Sequence, residues 1–313
     1  MNKIAETSRL LLREFTTEDA HHFYDMNSDP LVLRYTGDPP FKSKEEAFEF
    51  VKNYDQYERF NYGRWAVIRK EDDAFLGWCG LKYHPDKRLT EVGFRFYRKY
   101  WGEGYATEAA RSSINYGFAE LGLPEIHAHV HKDNQASVRV LEKLGMVFLK
   151  PIEYDGMEAL LYVRKNPYYN CDFITAEEAR TVRHSVLRKG LPYESAFFDE
   201  DNHPDTFHIG MYFRNTLTGV LSMIRNPKEI LQTDYPYQLR GMAVLERFRK
   251  RGLGGEMVNM AEEELRERKL PGLWLNAREK AIPFYRRLGY EPVGEIFDIP
   301  VHGPHLLMKK DLE

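Results

Sequence analysis

The sequence predicts an α/β fold that occurs twice in the chain. Each half contains the same order of elements: a strand, a glycine-rich turn, a helix, a second strand and a short helix. These elements span residues 91–97, 102–104, 107–121, 125–130 and 137–146 in the first half, and residues 238–244, 252–255, 256–269, 273–276 and 281–290 in the second. The alternation of strands and helices favours a helix that crosses over between neighbouring strands.

Apolar side chains at helical spacing support the two long helices. Ala110 and Ile114 belong to such a stripe in the first copy, and Met257 and Ala261 belong to one in the second. Glu262 is expected to lie outside the second stripe. Amphipathic helices of this kind cover the face of a sheet.

The length of the chain favours two domains. Its 313 residues are about twice the length of a usual globular domain. We place the boundary just before Pro167, because proline biases the preceding residue away from helix. The expected domains are residues 1–165 and 166–313. Thr175 then begins a helix as its N-cap, and Glu178 completes a capping box three residues later.

Composition argues against several classes of protein. The 42% of hydrophobic and 30% of charged residues are ordinary for a chain with apolar cores. No apolar run approaches the roughly 18 residues of a membrane span, and a net charge of −3 argues against nucleic-acid binding. Two cysteines, Cys79 and Cys171, do not make a disulfide framework. We expect a cytoplasmic protein with neither a membrane nor a nucleic acid as its partner.

Glycine-rich turns precede both long helices. Gly102 and Gly104 lie just before the first helix, and Gly252, Gly254 and Gly255 lie just before the second. Glycine lets the backbone approach a ligand closely, and the free N–H groups of a first helical turn attract pyrophosphate. Neither turn supplies the Lys-Ser or Lys-Thr of a nucleoside-triphosphate loop, and the first lacks the third glycine of the dinucleotide fingerprint. The remaining interpretation is a pyrophosphate-binding turn of another kind.

Both turns resemble the R/Q-x-x-G-x-G/A signature of the GCN5-related N-acetyltransferases. In the first turn tryptophan stands in the Arg/Gln position. The signature is filled by Arg249, Gly252 and Gly254 in the second half, and by Trp101, Gly104 and Ala106 in the first.

The resemblance extends over nearly the whole chain. Residues 6–164 are similar to the ribosomal-protein N-terminal acetyltransferase branch, and the second half is similar to a small predicted acyltransferase with a Phe-Tyr and Leu-Gly-Tyr ending. The resemblance implies two copies of the GNAT α/β (α+β) fold, each a mixed, mostly antiparallel sheet flanked by helices. It also implies a splayed strand pair that holds acetyl-CoA, with the strands separating at residues 94–96 and 242–244.

The resemblance further implies the residues that contact acetyl-CoA, the co-substrate. Asn134 is a contact, a helix N-cap, or both. Arg249 and Arg251 meet phosphate oxygens or belong to a solvated basic loop. The expected contacts are Phe94, Phe96, Trp101, Gly102, Gly104, Tyr105, Ala106 and Asn134 in the first copy, and Met242, Val244, Arg249, Arg251, Gly252, Gly254, Gly255 and Asn276 in the second.

Tyr285 is the acid that the resemblance implies for the second copy, where it would donate a proton to the leaving thiolate. A phenol suits this role because its pKa of about 10 exceeds that of a thiol. The alternative is an aromatic ring packed in the core. Leu141 stands at the corresponding place in the first copy. There the branch implies Ser137 as the acid and Glu153 as the base, although Glu153 is equally well a solvated strand residue.

Two further sets of side chains are candidates for the first copy. Glu91, at the start of the strand that enters the first turn, is a second candidate base or a surface carboxylate. His127, His129 and His131 alternate on one strand and share a face, as three metal ligands would. Since the resemblance implies no metal, we predict no metal site.

The expected activity is transfer of an acetyl group from acetyl-CoA to a primary amine by direct attack. The acceptor is the amine of a small molecule or of a protein or peptide. One alternative is that only one domain is catalytic and the other is a degenerate CoA-binding or scaffold module, which Trp101 and Leu141 would fit. Another is a non-catalytic interaction protein built on two such folds.

Overall fold

Internal contacts divide the chain of this computed structural model into two units, Met1–Asn166 and Pro167–Glu313. The structure describes residues 2–154, 156–300 and 303–312. Each unit contains one sheet with helices packed against it, which confirms the predicted fold class. In the described residues, no helix combines the length and apolarity that crossing a bilayer requires.

The first unit is built on a sheet of eight strands. Its elements are β1 (Lys3–Glu6), β2 (Leu10–Arg13), α1 (Ala20–Asn27), α2 (Pro30–Leu33), α3 (Lys44–Lys52), α4 (Gln56–Phe60), β3 (Arg64–Arg69), β4 (Phe75–His84), β5 (Leu89–Phe96), α5 (Tyr105–Ala119), β6 (Glu125–His131), α6 (Gln135–Lys143), β7 (Val147–Tyr154) and β8 (Met157–Lys165). The strand order is β1-β2-β3-β4-β5-β6-β8-β7. Among the described pairings of this sheet, only β5 and β6 run parallel.

Helices cover both faces of the first sheet. α5 buries Ala110, Ile114 and Phe118 at helical spacing against strand residues that include Trp65. A second apolar cluster joins α1 and α3 to β3 and β4 through residues that include Ile68. Trp65 and Ile68 lie on opposite faces of β3 because strand side chains alternate with a period of two.

The second unit is built on a sheet of seven strands. Its elements are β9 (Tyr169–Ile174), α7 (Ala176–Leu187), β10 (Phe207–Phe213), β11 (Thr216–Arg225), β12 (Tyr237–Val244), α8 (Leu253–Glu267), β13 (Gly272–Arg278), α9 (Ile282–Arg287), β14 (Glu291–Ile299) and β15 (Gly303–Asp311). The strand order is β14-β15-β13-β12-β11-β10-β9, and of the pairings described only β12 with β13 is parallel. α8 packs with Leu221 on one face, and α7 packs with Val220 on the other.

Two local predictions for the second unit have different outcomes. The capping box is confirmed, because Thr175 accepts from the backbone of Glu178 while the Glu178 carboxylate accepts from the backbone of Thr175. The expected exposure of Glu262 is wrong. This carboxylate is only 2% exposed, and Lys310 pairs with it at 2.6 Å. A partner from β15 therefore keeps a charged residue inside the α8 stripe.

Candidate active site

The sheet of each unit opens where its two parallel strands separate. β5 and β6 pair only at Glu91 and His127 among the described residues. β12 and β13 pair over only two residues of each strand. Beyond these pairs the strand edges face a gap, and a sheet edge can receive an extended ligand. The open segments contain Phe94 and Phe96 in the first unit, and Met242 and Val244 in the second.

The turn after each open strand has the same backbone conformation in both units. Gly102 and Gly104 have φ angles of 85° and 82°, and Lys250 and Gly252 have φ angles of 62° and 78°. The left-handed region is open to glycine and strained for other residues. An added Cβ at Gly102 or Gly252 would meet no atom within 4 Å. The need for glycine is therefore conformational rather than steric.

The helices that follow these turns begin without a side-chain cap. α5 starts at Tyr105 after Gly104, and α8 starts at Leu253 after Gly252; in this described region no side chain accepts from their first N–H groups. Unpaired N–H groups and the helix dipole together form a phosphate site. The Tyr105 side chain is buried in the core, and Ala106 presents only a methyl group beside it. The backbone of both residues is what a ligand would meet.

The first residue of the signature anchors the turn to the open strand in both units. Trp101 donates from Nε1 to the carbonyl of Phe96 at 2.9 Å. Arg249 donates from Nε to the carbonyl of Val244 at 3.0 Å. Each donor follows its acceptor by five residues. Tryptophan thus performs the anchoring that arginine performs in the second unit, and its presence does not mark a degenerate turn.

Two asparagines lie along the gaps. The Oδ1 of Asn276 on β13 is buried and has no hydrogen-bond partner among the described residues. An unpaired buried acceptor costs about 1–3 kcal/mol, so this atom favours a ligand N–H. In the first unit, Asn134 caps α6 by accepting from the backbone N–H of Ser137 at 3.1 Å. The capping role is therefore observed, and the amide nitrogen of Asn134 has no partner within the described part of the chain.

The other predicted contacts in the second unit serve packing as well. Arg251 donates to the hydroxyl of Tyr169 at 3.3 Å. A Cβ added at Gly254 would lie 3.3 Å from the ring of Phe284, so glycine allows α8 to approach α9 closely. Gly255 lies next to it in the first turn of α8. All three therefore lie at the uncapped start of α8, where Arg251 also contacts Tyr169 and Gly254 also packs against Phe284.

A cavity of about 510 Å³ lies at the open strand pair of the first unit. Its lining includes Glu91, Phe94, Asn134, Ser137 and Leu141. Much of the remaining wall is aromatic. The structure therefore brings four of the predicted residues of this unit, all of those just named except Leu141, around one space. Phe96, Glu153 and the residues of the glycine-rich turn are not part of this lining.

Glu91 is not a surface carboxylate. It is 5% exposed, it pairs with the guanidinium of Arg64, and the nearest imidazole nitrogens lie at 3.3 Å in His84 and 2.5 Å in His129. Burial alone raises the pKa of Glu91, but Arg64 and the two histidines outweigh it and hold the pKa well below its usual value. Glu91 stays ionised with its oxygens engaged, which makes it a poor base.

His129 is the functional candidate that the sequence analysis missed. Its ring stacks on Tyr154 with centroids 3.5 Å apart, and both residues line the cavity. Because Glu91 is ionised, Nδ1 of His129 donates to it, so in the neutral imidazole Nε2 is the nitrogen that carries the lone pair. No partner for Nε2 is found among the residues that the structure describes. The alternation of histidines on β6 is the signal in the sequence that points to this residue.

The three histidines of β6 share a face but do not converge on one point. His127 lies 3.5 Å from Glu125, and His131 lies 3.9 Å from Asp133. Within residues 2–154, 156–300 and 303–312, no group of three or more side chains is arranged to hold a metal ion.

The structure does not bring Glu153 into the cavity. Glu153 is exposed on β7 opposite Glu158. Its neighbour Tyr154 lines the cavity, and adjacent strand residues point to opposite faces. The Glu153 side chain therefore points away from the space where a base is needed, and its placement corrects the expectation that it acts as the base.

Tyr285 is buried in the second unit, on α9. Its ring meets the rings of Phe284 and Tyr290 edge-on, with centroids 5.0 and 5.5 Å apart. Burial raises the pKa of its hydroxyl, which therefore stays protonated. The hydroxyl has no hydrogen-bond partner among the described residues. Core packing and an available phenol proton thus coexist, whereas the first unit has the buried Leu141 in α6 instead.

Comparison with known proteins agrees with this geometry. The profile of the acetyltransferase (GNAT) domain matches residues 9–147, and that of the acetyltransferase (GNAT) family matches residues 172–290. The uncharacterized N-acetyltransferase YitI of Bacillus subtilis (strain 168) is 34% identical over 139 residues, which are 44% of this chain and 93% of that protein. The chain belongs to the GNAT acetyltransferase family. It carries two GNAT domains and is an N-acetyltransferase.

More distant GNAT proteins are also similar. The spermidine N(1)-acetyltransferase of Escherichia coli (strain K12) is 28% identical over 136 residues, covering 43% of this chain and 70% of that protein. A crystal structure of a GNAT-family acetyltransferase from Bacillus anthracis has a TM-score of 0.46 and 27% identity, covering 52% of this chain and 98% of that one.

The residues present fit acetyl-CoA, the co-substrate of this GNAT enzyme. The uncapped starts of α5 and α8 suit its pyrophosphate. The unpaired Oδ1 of Asn276 suits an amide N–H of its pantetheine arm. When bound, acetyl-CoA supplies the activated acetyl group.

Proposed function

We propose that both units bind acetyl-CoA and transfer its acetyl group to a primary amine by direct attack. The observation that carries this proposal is the repetition of the turn. Both units have two left-handed residues at the same spacing, an uncapped helix, and a donor tied to the carbonyl of the open strand. This repetition argues against the alternative in which one unit is a degenerate scaffold.

His129 is the base of the first unit in this proposal. An amine attacks only after it loses a proton, and the lone pair on Nε2 of His129 can accept that proton. Glu91 is a positioning residue, because its hydrogen bond to Nδ1 at 2.5 Å fixes the tautomer and favours the protonated imidazole that forms. Ser137 lines the same cavity and remains our proposed acid for the thiolate in this unit.

Tyr285 is the acid of the second unit in this proposal. Its hydroxyl stays protonated because it is buried, so it can donate to a thiolate as the bond to the acetyl group breaks. Leu141 cannot do this in the first unit. The two units therefore would share acetyl-CoA binding and use different proton chemistry.

The acceptor class is a primary amine. The relatives named above are N-acetyltransferases, and the E. coli relative is named for spermidine. A small-molecule amine and the amine of a protein or peptide both fit this class.

Acetyl-CoA turnover by the full chain tests the proposal, with a panel of amines and with CoA release as the readout. We expect His129→Ala to lower the kcat of the first unit by about 10²–10³-fold, a typical contribution of a general base. Free imidazole should restore part of that activity. Glu153→Gln is the matched control and should behave as the wild type. Tyr285→Phe should remove the activity of the second unit and leave acetyl-CoA binding intact.

Calorimetric titration of acetyl-CoA accompanies these assays. Two sites per chain are expected. One site would favour the alternative with a single working unit, and no binding would contradict the proposed function. A His129→Ala variant with unchanged turnover would remove the base from this scheme.

A further inference from the structure

Three arginines lie around the open strand pair of the second unit. Arg188 ends α7 as its C-cap, Arg240 lies on β12, and Arg278 ends β13. Arg240 and Arg278 alternate with Leu239 and Ala277, which pack in the core on the α8 side. Since strand side chains alternate, both arginines lie on the face that α7 covers. The three arginines thus come from three elements on the α7 side of the open strand pair.

These positive charges have little compensation. Within the described residues, the guanidinium of Arg188 donates only to the carbonyls of Ser195 and Leu187. That of Arg240 meets the carboxylate of Glu200 at 3.5 Å. The side chain of Arg278 has neither a hydrogen bond nor an ion pair in the part of the chain that the structure describes. Burial lowers the pKa of Arg188 first, and the charges of Arg278, Arg240 and the buried Arg183 lower it further. An excess of guanidiniums without counter-charges is the arrangement of an anion site.

The surroundings hold Arg240 in place. Arg183 is fully buried and bound by the carboxylate of Asp201 at 3.0 Å. The ring of Phe198 contacts both arginines, with the guanidinium carbon of Arg183 at 3.9 Å and that of Arg240 at 4.0 Å from its centroid. Arg240 therefore packs against Phe198, which also contacts the buried ion pair of Arg183 and Asp201. This packing preorganises Arg240 for a ligand.

The cluster is separate from the phosphate site. Arg240 lies on the α7 face of β12, whereas the phosphate-binding turn leads into α8, which packs on the opposite face of the sheet. Val244 is where Arg249 anchors the phosphate-binding turn. Arg278 precedes the 3-10 turn Glu279–Ala281, which leads into α9. The three arginines thus belong to the α7 side of the open strand pair, and an acceptor that approaches the gap from that side would meet them.

We propose that the second unit acetylates an amine that also carries an anionic group, a carboxylate or a phosphate, held by Arg188, Arg240 and Arg278. Arginine is suited to both groups because its planar fork makes two parallel hydrogen bonds. An anion would also relieve the repulsion among the three guanidiniums, whereas a polycationic amine would add to it. This inference rests on the proposed function, in which the second unit transfers acetyl groups.

Primary amines that differ in the charge they carry besides the amine test this inference on the full chain. Glycine supplies a carboxylate, phosphoethanolamine a phosphate, ethanolamine a neutral end and spermidine a polycation. The turnover that Tyr285→Phe removes is assigned to the second unit. The variants are Arg240→Gln and Arg278→Gln, with Arg287→Gln as the control, because Arg287 is an exposed arginine on α9 outside the cluster.

We expect an anionic acceptor to be preferred over ethanolamine, with a KM that rises about tenfold in each cluster variant, the weight of one charge-assisted hydrogen bond. Arg287→Gln should leave that KM unchanged. Preference for glycine would show that the anionic group is a carboxylate, and preference for phosphoethanolamine would show that it is a phosphate. Equal use of ethanolamine and the anionic acceptors, or an equal loss for all four in the cluster variants, would overturn the inference.

A second readout does not depend on turnover. Phenylglyoxal modifies accessible arginines, and peptide mass spectrometry measures the extent at each residue. Inorganic phosphate or acetate should protect Arg240 and Arg278 but not Arg287, relative to sodium chloride at equal ionic strength. Absence of protection would contradict the anion site while acetyl-CoA binding still stands. Absence of acetyl-CoA binding would instead remove the proposed function on which the inference rests.

Discussion

Replacing Trp101 by phenylalanine tests whether the first residue of the signature works through its N–H group. The change removes the 2.9 Å hydrogen bond from Nε1 to the carbonyl of Phe96 and keeps an aromatic ring in place. Trp101 is 49% exposed, so little packing is lost. A net hydrogen bond of about 1 kcal/mol corresponds to roughly fivefold weaker binding of acetyl-CoA by the first unit.

Arginine at the same position is the matched rescue. Arg249 makes the equivalent bond in the second unit at 3.0 Å, from Nε to the carbonyl of Val244. Trp101→Arg should therefore bind acetyl-CoA as the wild type does. The reciprocal change Arg249→Trp should keep the affinity of the second unit, whereas Arg249→Met should lower it by a similar factor, about fivefold.

Calorimetric titration of acetyl-CoA into the full chain measures these effects, and each variant should change the Kd of one site only. Wild-type affinity in Trp101→Phe would refute the anchoring role. Equal weakening in Trp101→Arg and Trp101→Phe would refute the equivalence of the two residues and restore the view of the first turn as a weakened signature.

Two further predictions concern stability. Glu91→Gln leaves the guanidinium of Arg64, whose side chain is 11% exposed, without its carboxylate, and should lower the free energy of unfolding by about 3–5 kcal/mol in urea titrations at neutral pH. The pKa of Glu91 in the folded protein lies below its usual value of 4.5. The difference in unfolding free energy between wild type and variant is therefore fully present above pH 4.5, and it should shrink as the pH falls through the folded pKa. A difference that stays constant in acid would contradict this coupling between protonation and stability. Lys250→Gly should stabilise the protein by about 0.5–1 kcal/mol in thermal unfolding, because Lys250 has a left-handed backbone and the equivalent residue of the first unit is Gly102. A destabilised variant would show that the Lys250 side chain contributes more than its backbone strain costs.

Features set by local backbone geometry could be predicted from the sequence. The glycines of the two turns, the capping box at Thr175 and the alternation of histidines on β6 depend on residues close together in the chain. Each is dictated by a dihedral angle or by a periodicity that sequence spacing records. The fold class followed because these local features recur in the same order in both halves.

Features that depend on distant partners could not be predicted in this way. Glu91 is on β5 and His129 is on β6, and the parallel pairing of these strands brings them together. Without that pairing, Glu91 had no identifiable partner and its burial could not be foreseen. Glu262 was misjudged for the same reason, since its charge is balanced by Lys310 on the last strand.

Each unit has its own ligand cradle of the same construction, but the candidate proton-transfer side chains differ between the units. The cradle uses backbone groups, and any residue with a suitably placed N–H can anchor it, as Trp101 and Arg249 both do. The candidate proton-transfer side chains differ in kind: the first unit has the pair of Glu91 and His129, and the second has the phenol of Tyr285, which has no hydrogen-bond partner among the described residues. Backbone recognition of a common co-substrate leaves those side chains free to change. Divergence confined to the acceptor end is what two units that bind the same acetyl donor but serve different amines would show.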